Sequence, residues 1–394
     1  MDMDKVKRLI LLHIPVSACN FRCEYCYVSQ FEGRRAEQMP NFQYTPEQAA
    51  HALSYDRMGG ACYVNVCGDG ETTLPKEIPS YVREMLKQGH YVDLITNCVI
   101  EKRIDELLGF NGELLSRLML KCSFHWLEMK RTNTLDAYVR NINKLKAKGV
   151  AYTIEITPYD ALIPHINEII AFCGKNCGSL PQITMAWNDA DNTTLLSKLS
   201  KEEFRRVWSV FDSPMTDFKL STMDVKRKEF CYAGDWSIYV NLATGWAVQC
   251  YCSNVTLGNI FENPDASIPF TAVGNNCRTP HCRNSHMLLT LGTIPRLNDV
   301  CYEVIRNRQC VDGSEWLSTK VKYFLSSKLE ESNEEYSAAK KFAVNLKNRV
   351  SPYGIARVAA SITPKPIKDM IKKIMNRTEQ VIPLCVLHDT RRAA

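Results

Sequence analysis

No stretch of this 394-residue chain approaches the run of about 20 apolar residues that a membrane-spanning helix requires. Internal repeats and low-complexity tracts are also missing, which excludes a solenoid or a tethering array. A convincing export leader is lacking too. Lys5, Lys7 and Arg8 precede an apolar run that ends in Val16-Ser17-Ala18-Cys19, the outline of a bacterial lipoprotein cleavage site. That run is very short, His13 and Pro15 interrupt it, and Asp2 and Asp4 spoil the basic leader. A cytoplasmic location is therefore expected. Excess positive charge is absent from most of the chain. Residues 340–377 hold ten Lys/Arg and one acid, a local +9, and the remainder of a chain of net charge +6 is thus −3. The basic character belongs to the tail, and no nucleic-acid partner is expected. Cysteine, by contrast, is abundant at seventeen residues. A reducing compartment argues against a disulfide framework, so spacing must separate metal sites from packing.

The first half alternates strands and helices. Apolar, β-prone segments read at 9–16, 62–67, 91–96, 118–124, 151–157 and 182–187, with helical patterns at 46–58, 76–88, 102–108, 135–148 and 164–173. Thr45-Pro46-Glu47-Gln48 offers an N-cap, a proline at the first helical position and a capping-box glutamine. Gly89 and Gly149 stop their helices. Six strands joined by helical crossovers imply an α/β fold with a parallel sheet, its active residues at the strands' C-terminal ends. After about residue 212 the pattern changes: residues 235–241 and 246–250 read as a hairpin turned by Ala243-Thr244-Gly245, and cysteines cluster around it. Beyond about residue 315 the chain reads as helical, polar and then basic. Three units follow: a core over 1–212, a cysteine-rich α+β unit over 213–320 and a helical basic tail over 321–394.

Cys19-Asn20-Phe21-Arg22-Cys23-Glu24-Tyr25-Cys26 directly follows the first strand. Thiolates are the usual ligands of iron–sulfur clusters, and a cubane takes four. Three cysteines with no fourth nearby leave one iron free, as an open coordination position does in a catalytic zinc site. A zinc knuckle would favour paired spacings and four closed ligands.

Cys-x3-Cys-x2-Cys with an aromatic, Tyr25, before its last cysteine resembles the signature of the radical S-adenosylmethionine (SAM) superfamily. The resemblance implies a partial (β/α)6 barrel and a 4Fe-4S cluster on Cys19, Cys23 and Cys26, with SAM on the free iron. An electron, from a flavodoxin- or ferredoxin-type donor, would cleave the S–C5′ bond to a 5′-deoxyadenosyl radical that abstracts hydrogen from substrate. Gly68-Asp69-Gly70-Glu71 resembles the family's Gly-Gly-Glu motif, whose backbone and acid hold the methionyl ammonium. Asp69 departs from the doubled glycine, and Thr72 stands where proline is common. The resemblance extends cofactor contacts to Tyr25, Gly68, Gly70, Glu71, Thr96, Asn97, Ser123 and His125.

Strand alternation puts Lys121, Ser123 and His125 on one face, and Thr153, Glu155 and Thr157 on one face of the next strand. Three polar residues on a buried strand point to a ligand-lined interior, although His125 could be a satisfied core histidine. Glu155 is a candidate to reach substrate. Cys67 should share the face of Asn65, where a thiol could give a hydrogen atom to a substrate radical; packing is its alternative role. Most other cysteines read as buried small hydrophobes.

Cys231 and Cys250 are separated by thirteen residues, Gly245 and four more, and Cys277-Arg278-Thr279-Pro280-His281-Cys282 adds two thiols. Cys-x(9–15)-Gly-x4-Cys resembles the opening of the SPASM and Twitch extensions of radical SAM enzymes. It implies an auxiliary 4Fe-4S cluster on Cys231, Cys250, Cys277 and Cys282, with Cys252 able to replace one of them and His286 close by. The further cysteine run of a full SPASM domain is missing, so the shorter Twitch kind fits better. A structural zinc ribbon is the rival.

In the tail, Ile367, Met370, Ile371, Ile374 and Met375 recur at helical spacing beside Lys368, Lys372, Lys373 and Arg377. Such a helix packs on its own barrel or makes a peripheral membrane contact through 364–377. The function expected is radical chemistry on a small molecule or sugar, because only eighteen residues precede Cys19 and a leader-binding domain does not fit there. A peptide-modifying maturase is the alternative, and a non-catalytic iron–sulfur or zinc protein on the same scaffold is the alternative of another class.

Overall fold

The computed structural model describes residues 4–30, 37–188 and 194–350. The basic segment 364–377 and Cys385 lie outside them. Strands β1 (Arg8–Ile14), β2 (Cys62–Gly68), β3 (Tyr91–Thr96), β4 (Leu118–Ser123), β5 (Ala151–Ile156) and β6 (Gln182–Ile183) pair in chain order, all parallel. The strand predicted over 182–187 is shorter: the chain leaves the sheet after Ile183, and β7 (Trp187–Asn188) pairs instead with β8 (Thr194–Leu195) in a separate ribbon.

Helices α1 (Pro46–Ala52), α2 (Tyr55–Met58), α3 (Ile78–Lys87), α4 (Glu101–Leu108), α5 (Gly112–Leu115), α6 (Trp126–Thr132), α7 (Leu135–Ala147) and α8 (Ile166–Asn176) fill the crossovers. Both halves of the capping box at Thr45 form, and Gly89 and Gly149 take left-handed backbone (φ 86° and 64°). The single helix predicted over 46–58 is two, because a tertiary contact competes with its hydrogen bonding. The His90 imidazole takes the Leu53 carbonyl, and Ser54 adopts extended backbone.

Alternation along the parallel strands sorts side chains into two cores. Ile10, Leu12, Val64, Leu94, Leu120 and Ile154 face the core under the crossover helices. Their neighbours Leu9, Leu11, Tyr63, Tyr91, Met119 and Ala151 face the barrel interior, in a second core. That interior face is apolar only at the strands' N-terminal ends. Toward the C-terminal ends the same face turns polar, through Asn65, Cys67, Lys121, Ser123 and Glu155, and opens as a cavity.

The second half of the chain braces and plugs this frame. After α9 (Lys201–Trp208) and α10 (Pro214–Thr222), the predicted hairpin forms from β9 (Ser237–Asn241) and β10 (Trp246–Val248), followed by β11 (Thr256–Asn259). β9 lies parallel to β1, so the cysteine-rich unit extends the sheet to nine strands, in the order β11-β10-β9-β1-β2-β3-β4-β5-β6. Helices α11 (Ser285–Leu288), α12 (Tyr302–Arg306), α13 (Thr319–Ser326) and α14 (Ala338–Val350) follow. The division expected at residue 320 falls inside α13. Phe324 of that helix stacks on Tyr91 (3.7 Å between centroids, 5° between planes), closing the apolar end of the barrel with Tyr302, Ile305 and Leu317. Among the described residues no helix is long and apolar enough to cross a membrane.

His90 ties two crossovers to the sheet and has a defined tautomer. The Cys62 amide donates to its Nδ1 (3.1 Å), so the proton sits on Nε2, which donates to Leu53 O (2.6 Å). Burial pulls its pKa down to about 4. The unfolded chain gains the proton near pH 6.5 and the folded one only near 4, so stability should fall as pH drops through that window. A loss of roughly 3 kcal/mol is expected across that window. Denaturant melts at pH 7 and pH 4 should show that loss diminished in His90→Gln; an unchanged acid dependence would remove His90 from the account.

Candidate active site

A cavity of about 480 Å³ lies at the C-terminal ends of β1 to β5. The loop after β1 supplies Cys19, Cys23 and Cys26, all half-buried and none in a disulfide, to its wall. The Phe21 amide points at Cys19 Sγ (3.4 Å), and burial pushes the Cys23 thiol up to about 12, so a bound cluster would have to displace that proton.

The loop is templated by the turn that ends β2. Gly70 N donates to Val16 O (2.6 Å) and Glu71 N to Ala18 O (2.9 Å). A Cβ on Gly70 would stand 2.0 Å from the Ala18 carbonyl oxygen, and one on Gly68 would stand 2.5 Å from Val16 Cγ1. Neither glycine has a positive φ, so close approach is the reason for both. Asp69 meets no such limit: its carboxylate pairs with His13 Nε2 at 3.3 Å, which accommodates the departure from a doubled glycine.

Glu71 is buried and fixed. One oxygen accepts from the Thr73 amide (3.0 Å) and the Thr73 and Thr96 hydroxyls (2.5 and 2.6 Å), and the other accepts from the Asn97 amide (2.8 Å). Asn97 Nδ2 donates to Asn20 Oδ1 (2.6 Å), linking the end of β3 to the cysteine loop. Lys121, Ser123 and His125 all line the cavity, as the alternation predicts, although β4 ends at Ser123 and His125 sits at the N-cap of α6. The Tyr25 hydroxyl hydrogen-bonds His125 Nδ1, and Phe21 packs edge-on to the imidazole. Burial holds His125 neutral, with its pKa at about 4.

Glu155 lines the cavity but is not a free acid. It pairs with Lys121 Nζ at 2.6 Å and with the fully buried guanidinium of Arg306, a residue of α12. Cys67 lies on the same wall as Asn65, and burial raises its thiol to about 12, so it stays protonated. Sequence reasoning missed Arg306, Lys219 and Thr184 and set His286 beside the second cysteine group; His286 lines this cavity instead. An isolated Lys or Arg on a helix reads as a solvated residue, and no periodic signal could have found them.

Cys231, Cys250, Cys252, Cys277 and Cys282 line a second cavity of about 70 Å³. Paired bonds between Cys231 and Gly274 position the first, and Lys226 Nζ straps the Cys277 loop through its carbonyls at Cys277 and Thr279 (2.9 and 2.8 Å). Tyr251 and Arg283 line both cavities. Of the remaining cysteines in the described residues, Cys62, Cys98, Cys122, Cys173, Cys177 and Cys310 are buried, and Cys301 is half-buried. Among the described residues no three His, Cys, Asp or Glu side chains converge on a single metal-ion position. The two all-thiol donor sets fit a cluster, which spreads its ligands over several irons, in chemistry and in enclosure.

Residues 13–168 match the family model of the Radical SAM superfamily, and this stretch is a radical SAM domain. No curated protein matches the chain. Among solved structures it is similar to Streptococcus suis SuiB bound to S-adenosylmethionine, at 16% identity and TM-score 0.48 over 66% of this chain and 64% of that one. It is also similar to native anSMEcpe with bound AdoMet and Cp18Cys peptide (16%, 0.45, 66% and 79%). BtrN in complex with AdoMet and 2-DOIA is a third (15%, 0.34, 66% and 81%). The chain thus spans just under two thirds of the length of SuiB.

Two outcomes follow from the geometry. Gly70→Ala should destabilise the protein by about 1–3 kcal/mol, since a backbone carbonyl cannot yield as a side chain does, whereas Asp69→Gly should cost clearly less; equal melting curves would deny the close approach. Glu155→Ala leaves two buried cations uncompensated and should cost about 3–5 kcal/mol in denaturant unfolding.

Proposed function

We propose that the chain is a radical SAM enzyme that abstracts hydrogen from a small organic substrate in the 480 Å³ cavity. The observation that carries this reading is the gathering of three half-buried thiols, Glu71, Asn97, Ser123 and His125 around one cavity. Cys19, Cys23 and Cys26 would hold the catalytic 4Fe-4S cluster. When bound, cluster and SAM together supply the one-electron cleavage that generates a 5′-deoxyadenosyl radical.

The chain's own residues bind, orient and shield. Glu71, held rigid by four donors, presents its carboxylate to the ammonium of the methionyl group, with the turn at Gly68 and Gly70 close beside it. Thr96 and Asn97 fix that carboxylate, and Ser123 and His125 offer polar contacts beside it. Tyr25 keeps His125 in place and, against Tyr159 (4.5 Å between centroids), helps to exclude water from the thiols. Cys67 keeps its hydrogen on Sγ and is positioned to donate it to a substrate radical. Glu155 acts by holding Lys121 in the cavity wall. The cavity's size suits a small-molecule or sugar substrate; a peptide is the second reading.

Cys231, Cys250, Cys277 and Cys282 would hold an auxiliary 4Fe-4S cluster of the Twitch kind, with Cys252 as a fifth thiol in reach. None of the sixteen cysteines of the described residues is in a disulfide, which suits a reducing cytoplasm and a flavodoxin- or ferredoxin-type electron donor.

Anaerobically reconstituted protein should hold about eight irons, falling to about four in the Cys19, Cys23 and Cys26 triple alanine variant and also in the Cys231, Cys277 and Cys282 variant. Only the first should lose reductive formation of 5′-deoxyadenosine, followed by chromatography. Retention of that activity in the first variant would sink the proposal, and zinc in place of iron in the second group would convert it to a structural ribbon.

A further inference from the structure

We infer that the inner part of the main cavity is an oxyanion subsite built by Lys219, His286 and Lys121, so that the substrate carries a carboxylate or phosphate group. The inference rests on reading this cavity as the substrate site, and it names the substrate's chemistry.

Four observations carry it. First, all three residues line the cavity, and they come from separate elements, α10, α11 and β4. Second, His286 is only 7% exposed, and neither ring nitrogen has a hydrogen-bond partner among the described residues. A buried imidazole left with both nitrogens unmatched costs free energy unless a ligand completes it. Third, Lys219 is 5% exposed, and its ammonium meets the Thr184 hydroxyl, itself a cavity residue, with no carboxylate within salt-bridge reach among the described residues. A buried cation without a counter-charge is costly, and an anion arriving in the cavity would supply one. Fourth, Lys121 has no acid to itself: its salt-bridge partner among the described residues, Glu155, is shared with the buried Arg306 guanidinium.

Burial, with neighbouring cations, lowers the pKa of Lys219 and His286 well below the ordinary values and that of Lys121 to about 7. The subsite also lies away from the cofactor contacts. Lys121 stands two residues before Ser123 on β4, roughly 6–7 Å deeper along the strand. An anion anchored there would leave the rest of the substrate to extend toward the loop of Cys19, Cys23 and Cys26. A purely structural cluster is the competing account, but it predicts that removing the unpaired lysine charge weakens nothing but the lysine's own burial penalty.

The test is titration of anaerobically reconstituted protein, in an amine buffer free of oxyanions, with acetate and with inorganic phosphate, read by calorimetry. At least one should bind wild type in the millimolar range, and Lys219→Met should weaken it by about tenfold or more. The same variant should melt no lower than wild type, because a buried unpaired charge has been replaced by an isosteric apolar chain. His286→Phe provides a second variant with the same expected loss. Acetate binding alone identifies a carboxylate substrate, and phosphate binding alone a phosphorylated one. Binding of neither anion to wild type that still cleaves SAM overturns the subsite and leaves the enzyme reading intact. Binding that is unchanged in both variants is adventitious and overturns it as well. Anion binding that depends on Lys219, in protein unable to cleave SAM, would keep the subsite and remove the enzyme reading.

Discussion

The close seating of the Gly68–Glu71 turn against the loop of residues 16–19 is the constraint on which the site depends. Two backbone hydrogen bonds fix the loop that leads to Cys19, and the absence of side chains at Gly68 and Gly70 lets that contact form. The same turn delivers Glu71, whose carboxylate then organises Thr73, Thr96 and the Asn97 amide. Asn97 in turn reaches back to Asn20 inside the cysteine loop. The thiols and the polar groups beside them are therefore positioned through one closed circuit of short contacts, not by separate elements acting alone.

A second constraint sets the depth of the cavity. Each parallel strand presents alternate residues to the barrel interior, and along β1, β2, β4 and β5 that face changes from apolar to polar. Tyr63, Tyr91, Met119 and Ala151 are sealed by α12 and α13, whereas Asn65, Lys121 and Glu155 begin the polar wall. Arg306 marks the boundary: it enters from the plug and meets Glu155 from beneath, donating also to the Thr153 hydroxyl at 2.5 Å. The plug both completes the core and supplies charge to the site's floor.

Much of this was legible in the residues. Apolar, β-prone composition gave five of the six crossover-linked strands to within two residues at each end, and the Thr45 box and Gly89 and Gly149 marked helix ends through local chemistry alone. The cysteine spacings and the Gly68–Glu71 turn were readable because their chemistry is local in sequence. What escaped reading was tertiary. The break at Ser54 depends on His90, thirty-six residues later, and the short β6 on a ribbon that draws Trp187 away from the sheet. The plug was read as polar helix, since Trp316, Leu317, Phe324 and Leu325 are too widely interleaved with charged residues to announce a core. Lys219, His286 and Arg306 carry no motif; only the fold brings the first two to the cavity and sets Arg306 against Glu155.

The parallel pairing of β9 with β1 has a consequence for how the molecule can be divided. β1 is an interior strand only because the cysteine-rich unit covers its second edge. A chain cut before that unit would leave Leu9, Ile10, Leu11 and Leu12 on a bare edge of unpaired amides and carbonyls, a ready template for strand addition by another molecule. The two halves are thus one folding unit in the sense that matters for expression, and shuffling the second half between scaffolds would have to carry its covering strand along.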